Sequence, residues 1–208
     1  MIRITEPGRL RLAVLASGRG SNFTALCQAI EEGRLDAEIA LVISDKKEAP
    51  VLDKARERKI DNYYIEPRDH IDKAAYEQKI IKKLAEYDTR MVILAGYMRL
   101  VGKDLLQAYP WKIINIHPAL LPSFPGLNAH QQAVDYGVRI SGCTVHFVDD
   151  GIDSGPIIMQ RAVEVLPDDD ADTLAARILE QEHKIYAETL QLFAAGRIYL
   201  QDRNVVIK

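Results

Sequence analysis

Short apolar runs alternate with helical segments along the first half of this 208-residue chain, and this alternation constrains the fold most strongly. The runs are continuously apolar, as expected for strands of a parallel sheet that helices cover on both faces. The predicted strands span residues 10–17, 38–44, 62–65, 91–95 and 112–117. The predicted helices between them span residues 22–32, 50–59, 71–87 and 103–109.

The pattern changes after Pro118. Two strand-like runs, 141–148 and 156–163, have no helix between them and are expected to pair antiparallel. A long helix follows over residues 171–195 and ends at Gly196. We therefore predict an α/β fold with a mostly parallel, twisted sheet of about seven strands, helices on both faces and antiparallel strands in the C-terminal part. In such sheets ligands bind beyond the carboxyl ends of the strands.

Charge and hydropathy exclude several classes of protein. The formal net charge is -3, whereas binding to nucleic acid or to an anionic membrane needs a positive field. No stretch is long and apolar enough to span a bilayer, and the first ten residues lack the apolar core of a secretory signal. Cys27 and Cys143 lie in apolar patterns that indicate core positions, so a reducing cytoplasm is the expected location. We expect no nucleic-acid partner, no membrane partner and no metal site.

A glycine-rich turn, S-G-R-G-S-N at 17–22, joins the first predicted strand to its helix. The N–H groups of Gly20, Ser21 and Asn22 would point out of the helix N-terminus, where the helix dipole favours an anion. The spacing matches neither the dinucleotide-binding fingerprint nor the nucleotide P-loop, so a single phosphate monoester fits better. The alternative is a structural turn in which Ser21 or Asn22 only caps the helix.

Polar residues end the fifth predicted strand. Asn115 and His117 are two residues apart, so their side chains share one face of the strand. An amide donor beside an imidazole suits a reaction in which negative charge develops on a carbonyl oxygen. Further on, the loop 149–156 supplies three carboxylates, of which Asp153 is the best candidate to lie near His117 and favour its imidazolium form. The alternatives are a hydrogen-bonded polar pair at a strand end and a solvated acidic turn.

Three other features suggest binding. Segment 118–131 is rich in proline and glycine and is predicted to be a lid or binding loop, with a plain surface excursion as the alternative. Gly96, Tyr97 and Met98 follow a strand and could face a flat heterocycle or pack in the interior. Glu182 falls on the apolar arc of the last helix, where a carboxylate is costly unless it forms an ion pair or contacts a substrate amine or hydroxyl.

Together these motifs resemble the phosphoribosylglycinamide formyltransferase family, the folate-dependent enzymes of purine synthesis. The matching pieces run in family order over nearly the whole chain: S-G-R-G-S-N at 17–22, L-A-G-Y-M-R at 94–99, N-I-H-P-A-L-L-P-S-F-P-G at 115–126, G-C-T-V-H-F-V at 142–148, D-S-G-P at 153–156 and Q-E-H at 181–183. The resemblance implies a Rossmann-like fold in a single formyltransferase domain over residues 1–208. Its phosphate-binding half would be about 10–110, and its catalytic and folate-binding half about 111–200.

The resemblance also implies a reaction. The formyl group of 10-formyltetrahydrofolate, a co-substrate, would pass to the amine of 5'-phosphoribosylglycinamide, giving N-formylglycinamide ribonucleotide and tetrahydrofolate in de novo purine biosynthesis. Asn115 and His117 would stabilise the oxyanion that forms when the amine attacks the formyl carbon. Asp153 would support the imidazolium of His117 and help to relay the proton that the amine loses.

The implied binding residues extend around this centre. The substrate phosphate would be held by Gly20, Ser21 and Asn22, and the ribose or glycinamide portion by Glu182. The folate would be bound by Lys73, Met98, Arg99, Leu100, Val101, Asn115, Val148 and Asp149. Two positions depart from the family pattern. Lys73 stands where arginine is more usual and offers a point charge instead of a planar fork, and Leu179 replaces an expected glutamine and so removes one polar contact.

Other functions are less consistent with these residues. Methionyl-tRNA formyltransferase has an extra C-terminal domain and basic surface, and formyltetrahydrofolate deformylase has an N-terminal regulatory domain, neither of which the sequence predicts. Hydrolysis of 10-formyltetrahydrofolate uses the same formyl chemistry, so a formyltetrahydrofolate hydrolase remains an alternative function. A non-catalytic module for a phosphorylated ligand would explain the glycine-rich turn and the sheet. It would not explain polar residues at Asn115, His117, Asp153 and Glu182. A monomer and a homodimer both remain open.

Overall fold

The computed structural model describes residues 1–208 and has an α/β architecture. Its strands are β1 (Ile2–Arg3), β2 (Leu10–Leu15), β3 (Ala37–Ser44), β4 (Asp61–Tyr64), β5 (Met91–Leu94), β6 (Ile113–His117), β7 (Ile140–Phe147), β8 (Ile157–Glu164), β9 (Ile198–Gln201) and β10 (Asn204–Ile207). Its helices are α1 (Ser21–Glu31), α2 (Pro50–Glu57), α3 (Lys73–Glu86), α4 (Lys103–Ala108), α5 (Ala129–Tyr136) and α6 (Ala171–Ala194), with a short 3-10 helix at Pro67–Asp69.

The main sheet has seven strands in the order β4-β3-β2-β5-β6-β7-β8. The first five strands in that order run parallel, and β7 and β8 run antiparallel to their neighbours. This confirms the predicted sheet of about seven strands, mostly parallel, with antiparallel strands in the C-terminal part. Predicted and observed element boundaries differ by one or two residues.

Alternation of apolar side chains explains why helices cover both faces of this sheet. Along β2, Leu12 and Val14 belong to the larger core cluster, which also receives apolar residues of α1, α2, α5 and α6. Ala13 and Leu15 belong to the second cluster, which receives residues of α3 and α4. All four β2 residues are fully buried, so both faces of the strand are covered, as its continuous apolar run predicts.

Both cysteines are core residues, as predicted. Cys27 on α1 and Cys143 on β7 are buried and unpaired. Burial raises the pKa of Cys27 to about 11 and that of Cys143 to about 12. Such thiols stay protonated near neutral pH and act as small apolar side chains.

Local hydrogen bonds determine where the longer helices begin. The side chain of Asp72 accepts from the N–H of Ala75 and caps α3. At the start of α6, Asp170 and Thr173 each bond to the backbone of the other and form a capping box. The α6 helix ends just before Gly196, which has a φ of 65°. No helix of the structure has the length and apolar character needed to cross a membrane.

Two features of the structure, besides the short 3-10 helix, are not among the elements predicted from the sequence. The first is α5, which begins at Ala129 inside segment 118–131, so that only the earlier part of this segment is irregular. The helix buries only Ala129 and Ala133, and two alanines give almost no apolar periodicity. The second is a small antiparallel sheet in the order β1-β9-β10, whose two-residue strand β1 pairs with Leu200 and Tyr199 at the other end of the chain.

Candidate active site

One large pocket of about 950 Å³ opens over the carboxyl ends of β2, β5 and β6. This is the edge at which parallel α/β sheets bind ligands. Most of the site residues predicted from the sequence line the pocket: Gly20, Ser21, Asn22, Met98, Arg99, Leu100, Val101, Asn115, His117, Val148, Asp149, Asp153 and Glu182. Lys73 is not among the lining residues.

The glycine-rich turn forms one end of the pocket. Gly20 precedes α1 with a φ of 71°, and no side chain caps the helix. A Cβ atom at Gly20 would lie 2.7 Å from the side chain of Val51, so both the backbone conformation and the close packing require glycine. The first N–H groups of α1 have no intrahelical acceptor, and the helix dipole adds positive potential there. This end of the pocket is therefore suited to an anion.

A buried polar pair stands next to the turn. Asn22 Nδ2 donates to Glu182 Oε2 at 2.8 Å, which joins α1 to α6 across 160 residues. Glu182 is 7% exposed, and burial raises its pKa although the bond from Asn22 acts in the opposite direction. The buried Oδ1 atom of Asn22 has no hydrogen-bond partner. Glu182 thus forms a hydrogen-bonded pair with an amide and not the ion pair that the sequence left as an alternative, and acceptor capacity remains for a ligand N–H or O–H.

Asn115, His117 and Asp153 come together in the middle of the pocket. The Nδ1 atom of His117 lies 3.3 Å from Asp153 Oδ2, and Asn115 Nδ2 lies 3.5 Å from Asp153 Oδ1. Asp153 also accepts from the N–H of Gly126 at 2.8 Å. The other ring nitrogen of His117, Nε2, lies 2.8 Å from the carbonyl oxygen of Phe124. Because both ring nitrogens face acceptors, the imidazolium form satisfies both contacts.

The segment after β5 forms the opposite wall. Met98 and Leu100 are each 62% exposed, although a residue following a buried strand often packs inward. The N–H groups of Arg99, Leu100 and Val101 donate to no acceptor within the protein. Exposed apolar side chains therefore stand beside free backbone donors, a combination that suits a flat heterocycle.

Comparison with known proteins shows the family to which the chain belongs. The sequence model of the family described as Formyl transferase matches residues 10–190. The chain belongs to the formyl transferase family.

Individual proteins similar to this formyl transferase are more specific than the family as a whole. The chain is 47% identical to phosphoribosylglycinamide formyltransferase of Bacillus subtilis (strain 168), over 87% of the chain and 93% of the relative. It is 43% identical to the trifunctional purine biosynthetic protein adenosine-3 of Bos taurus, over 96% of the chain but only 20% of that longer protein. The crystal structure of glycinamide ribonucleotide transformylase 1 from Symbiobacterium toebii superposes with a TM-score of 0.94 at 45% identity, covering 96% and 94% of the two chains.

His146 is a pocket residue of this formyl transferase that the sequence analysis missed. It lies on β7 directly opposite Asn115, and its Nε2 atom is 3.3 Å from Asn115 Nδ2. Its Nδ1 atom lies 2.8 Å from the carbonyl oxygen of Phe147, and burial lowers its pKa. A neutral ring with Nδ1 protonated can therefore accept from Asn115 and orient its amide. The sequence did contain one signal. Cys143 and Val145 face the core from one side of the strand, so the side chain of His146 points to the opposite side.

His130 is the second pocket residue that was missed. It is on α5, and burial lowers its pKa, with a smaller contribution from the nearby His117. The sequence could reveal it only if α5 were predicted.

Of the two departures from the family pattern, Leu179 lines the pocket, whereas the Nζ atom of Lys73 lies 4.0 Å from Glu77 on the same helix. The structure contains no group of three or more His, Cys, Asp or Glu side chains placed to hold a metal ion.

Proposed function

We propose that this protein transfers the formyl group of 10-formyltetrahydrofolate to the amine of 5'-phosphoribosylglycinamide, with Asn115, His117 and Asp153 at the reacting centre. The products are N-formylglycinamide ribonucleotide and tetrahydrofolate, and the reaction belongs to purine biosynthesis. The relatives named for this transfer cover nearly the whole chain. The observation that carries the residue assignment is one pocket that joins the anion-binding turn to these three polar side chains.

Stabilisation of the oxyanion is the first role of the site. When the amine attacks the formyl carbon, negative charge moves to the formyl oxygen, and preorganised N–H donors lower the energy of that state. His117 Nε2 is one donor, since a formyl oxygen in the place of the Phe124 carbonyl oxygen would receive the same N–H. Asn115 Nδ2 is the other, because its contacts with His146 and Asp153, at 3.3 and 3.5 Å, are long enough to be exchanged for a ligand oxygen.

Proton movement is the second role. The bond from the amine nitrogen to the formyl carbon forms, the bond from the folate N10 to that carbon breaks, and one proton passes from the amine nitrogen to N10. Asp153 faces His117 Nδ1 at 3.3 Å and stabilises the charged ring while the oxyanion exists. The same carboxylate contacts both His117 and Asn115 and helps to relay the proton.

The remaining residues hold the two substrates in line for attack. Gly20, Ser21 and Asn22 bind the substrate phosphate at the N-terminus of α1. Glu182 accepts from hydroxyl or amine groups of the same substrate and, through Asn22, is fixed beside the phosphate. Binding the phosphate far from the reacting amine orients that amine without blocking it.

The folate is bound on the opposite wall. The proposed folate-binding residues in the pocket are Met98, Arg99, Leu100, Val101, Asn115, Val148 and Asp149. The free N–H groups after β5 suit the polar edge of the pterin, and the exposed Met98 and Leu100 suit its faces. Lys73 is proposed for the glutamate tail, outside the pocket.

Three coarser properties complete the proposal. The chain acts as a single formyltransferase domain, with the phosphate-binding half at about 10–110 and the catalytic and folate-binding half at about 111–200. It works in the cytoplasm as a monomer or a homodimer, on small-molecule substrates alone. A hydrolase is not favoured, because the relatives are named for transfer, and a non-catalytic module is not favoured because the reacting centre is complete.

The decisive experiment follows 10-formyl-5,8-dideazafolate by absorbance, with and without glycinamide ribonucleotide. Formyl transfer that requires the ribonucleotide is the expected result. Loss of formyl groups at the same rate without it would instead identify a hydrolase. A folded His117→Ala variant serves as the test of the reacting centre, because full activity in this variant would remove His117 from the mechanism.

A further inference from the structure

We propose that Ser17 and Glu77 are positioning residues that hold the two ends of the 98–102 segment in the shape that receives the folate. Neither side chain belongs to the segment, and neither is among the proposed folate-binding residues. The inference rests on the proposed function, since it concerns how the formyl donor is bound.

Ser17 holds the first end. The N–H of Met98 donates to Ser17 Oγ at 2.9 Å, and the hydroxyl of Ser17 donates to Asp45 Oδ1 at 2.5 Å. The N–H of Ser17 donates to the carbonyl oxygen of Gly96 at 2.9 Å, which adds a second connection to the same stretch. Asp45 is only 4% exposed and therefore well fixed. Since Asp45 takes the hydroxyl hydrogen, a lone pair of Ser17 Oγ is directed to Met98.

Glu77 holds the second end. Its buried carboxylate accepts from the N–H of Gly102 through Oε1 and from the N–H of Leu105 through Oε2 at 3.3 Å. It thereby caps the start of α4, where the segment ends. A Cβ atom on Gly102 would lie 2.6 and 2.7 Å from the two carboxylate oxygens. The carboxylate thus approaches the backbone at a distance that only glycine permits.

Between these two ends the segment is held by side-chain contacts. The Arg99 guanidinium lies 5.3 Å from the centroid of the Tyr76 ring, and Val101 packs against the second core cluster. Met98 and Leu100, in contrast, are 62% exposed. The N–H groups of Arg99, Leu100 and Val101 have no acceptor in the protein. The bonds from Ser17 and Glu77 are the ones that fix the backbone at the two ends of the segment, and they therefore help to set where these free groups point. Removing either bond should disturb folate binding while leaving the chemistry and the phosphate site intact.

The test compares steady-state constants of Ser17→Ala and wild-type protein for each substrate. We expect the KM for 10-formyl-5,8-dideazafolate to rise about five- to tenfold, the value of one hydrogen bond. Ser17 begins the glycine-rich turn, but its side chain bonds to Asp45 and Met98 and lies three residues before the proposed phosphate donors, which start at Gly20. The KM for glycinamide ribonucleotide and kcat at saturation should therefore change much less than the KM for the donor. Calorimetric titration with the donor analogue should show the same loss of affinity, since KM alone can mix binding with chemistry.

Three variants make the result specific. Ser17→Thr keeps the hydroxyl and should restore most of the donor affinity. Ser141→Ala removes a buried hydroxyl that has no hydrogen-bond partner, and should change neither KM. Glu77→Gln loosens the other end, because an amide cannot accept from two N–H groups through both of its terminal atoms, and should give the same selective rise in the donor KM. It also provides the measurement if Ser17→Ala does not fold.

A folded Ser17→Ala or Glu77→Gln protein with wild-type donor affinity would overturn the inference. Equal rises in both KM values would also overturn it, because they would indicate general damage to the pocket. Failure of the proposed function is distinct from either result, since wild-type protein would then transfer no formyl group before any variant is compared.

Discussion

Asp153 reaches the reacting centre with a backbone φ of 49°, a conformation that few residues other than glycine, asparagine and aspartate adopt. An Asp153→Asn variant can keep this conformation and its bond from Gly126, but it loses the negative charge beside His117. We expect kcat to fall about 100-fold or more, as for loss of a general acid–base group, with little change in either KM. The measurement is steady-state kinetics on protein whose thermal unfolding matches wild type.

Asp150 provides the matched control for that prediction. It is an exposed aspartate of the same loop, three positions earlier, and contacts none of the reacting groups. Asp150→Asn removes the same charge from the loop and should leave kcat unchanged. Equal losses in the two variants would show that the loop's overall charge matters and not the contact with His117.

His146 gives a prediction about pH. Burial lowers its pKa in the folded protein, so the unfolded chain binds more protons than the folded one once the pH falls below the ordinary value of about 6.5. Its contribution to stability is therefore present above that pH and is lost on acidification. Burial lowers the pKa of His130 and His183 in the same direction. The free energy of unfolding from denaturant titrations should decrease between pH 7 and pH 5.

Glu182 acts against this trend. Burial raises its pKa, so its folded-state penalty grows as the pH rises and disappears on acidification. Glu182→Gln removes this opposing contribution and should steepen the loss of stability between pH 7 and pH 5. His146→Asn should make the loss shallower. A pH dependence that neither variant alters would mean that these buried groups do not control it.

At the scale of single elements, the two glycines that flank helix α1 can be compared directly. Gly20 and Gly33 flank its two ends with the same φ of 71°, but a Cβ atom meets Val51 at Gly20 and open space at Gly33. Gly33→Ala should cost about 1–2 kcal/mol for the left-handed backbone alone. Gly20→Ala should cost about 1–3 kcal/mol more, because of overpacking. Only Gly20→Ala should raise the KM for glycinamide ribonucleotide. Denaturant unfolding and kinetics on both variants provide the check, and similar behaviour of the two would contradict the role given to the turn.

The elements also show what local pattern can predict. The continuous apolar run of β2 and the helical period of α6 are strong local signals, so type and boundaries of these elements follow from the sequence to within a residue or two. Helix α5 buries only two alanines and β1 has two residues, so neither produces a readable period. Their formation depends on packing and on a partner strand at the far end of the chain, which no local window contains.

The contrast between local pattern and long-range contact also applies to the residues of the site. Asn115, His117 and Glu182 could be predicted because each breaks an apolar pattern at a position where packing alone would prefer an apolar residue. His146 could not be assigned, because its place opposite Asn115 depends on the register of the antiparallel pair β6 and β7. Ser17 and Glu77 belong to the same category, since their partners lie 81 and 25 residues away.

At the scale of the whole molecule, Tyr186 joins the last helix to the centre of the sheet. Its fully buried hydroxyl lies 2.9 Å from the carbonyl oxygen of Leu94 and 3.2 Å from that of Ile114, so that α6 is fixed to both β5 and β6. Tyr186→Phe should lower the free energy of unfolding by about 1 kcal/mol or more. Tyr199→Phe, which removes a hydroxyl bonded to the exposed Arg3, should cost less, because water replaces that contact. Denaturant unfolding of both variants distinguishes them, and equal losses would contradict this account.

The bond between Asn22 and Glu182 has a consequence for the time at which the pocket is formed. It joins residues 160 positions apart, so a growing chain that has not yet produced α6 has the glycine-rich turn but not the carboxylate beside it. If Glu182 contacts the ribonucleotide as proposed, a nascent chain on the ribosome with most of its sheet in place still lacks that contact. The full set of proposed substrate contacts, and the stabilisation that a bound ligand brings, becomes available only once synthesis has passed the last helix.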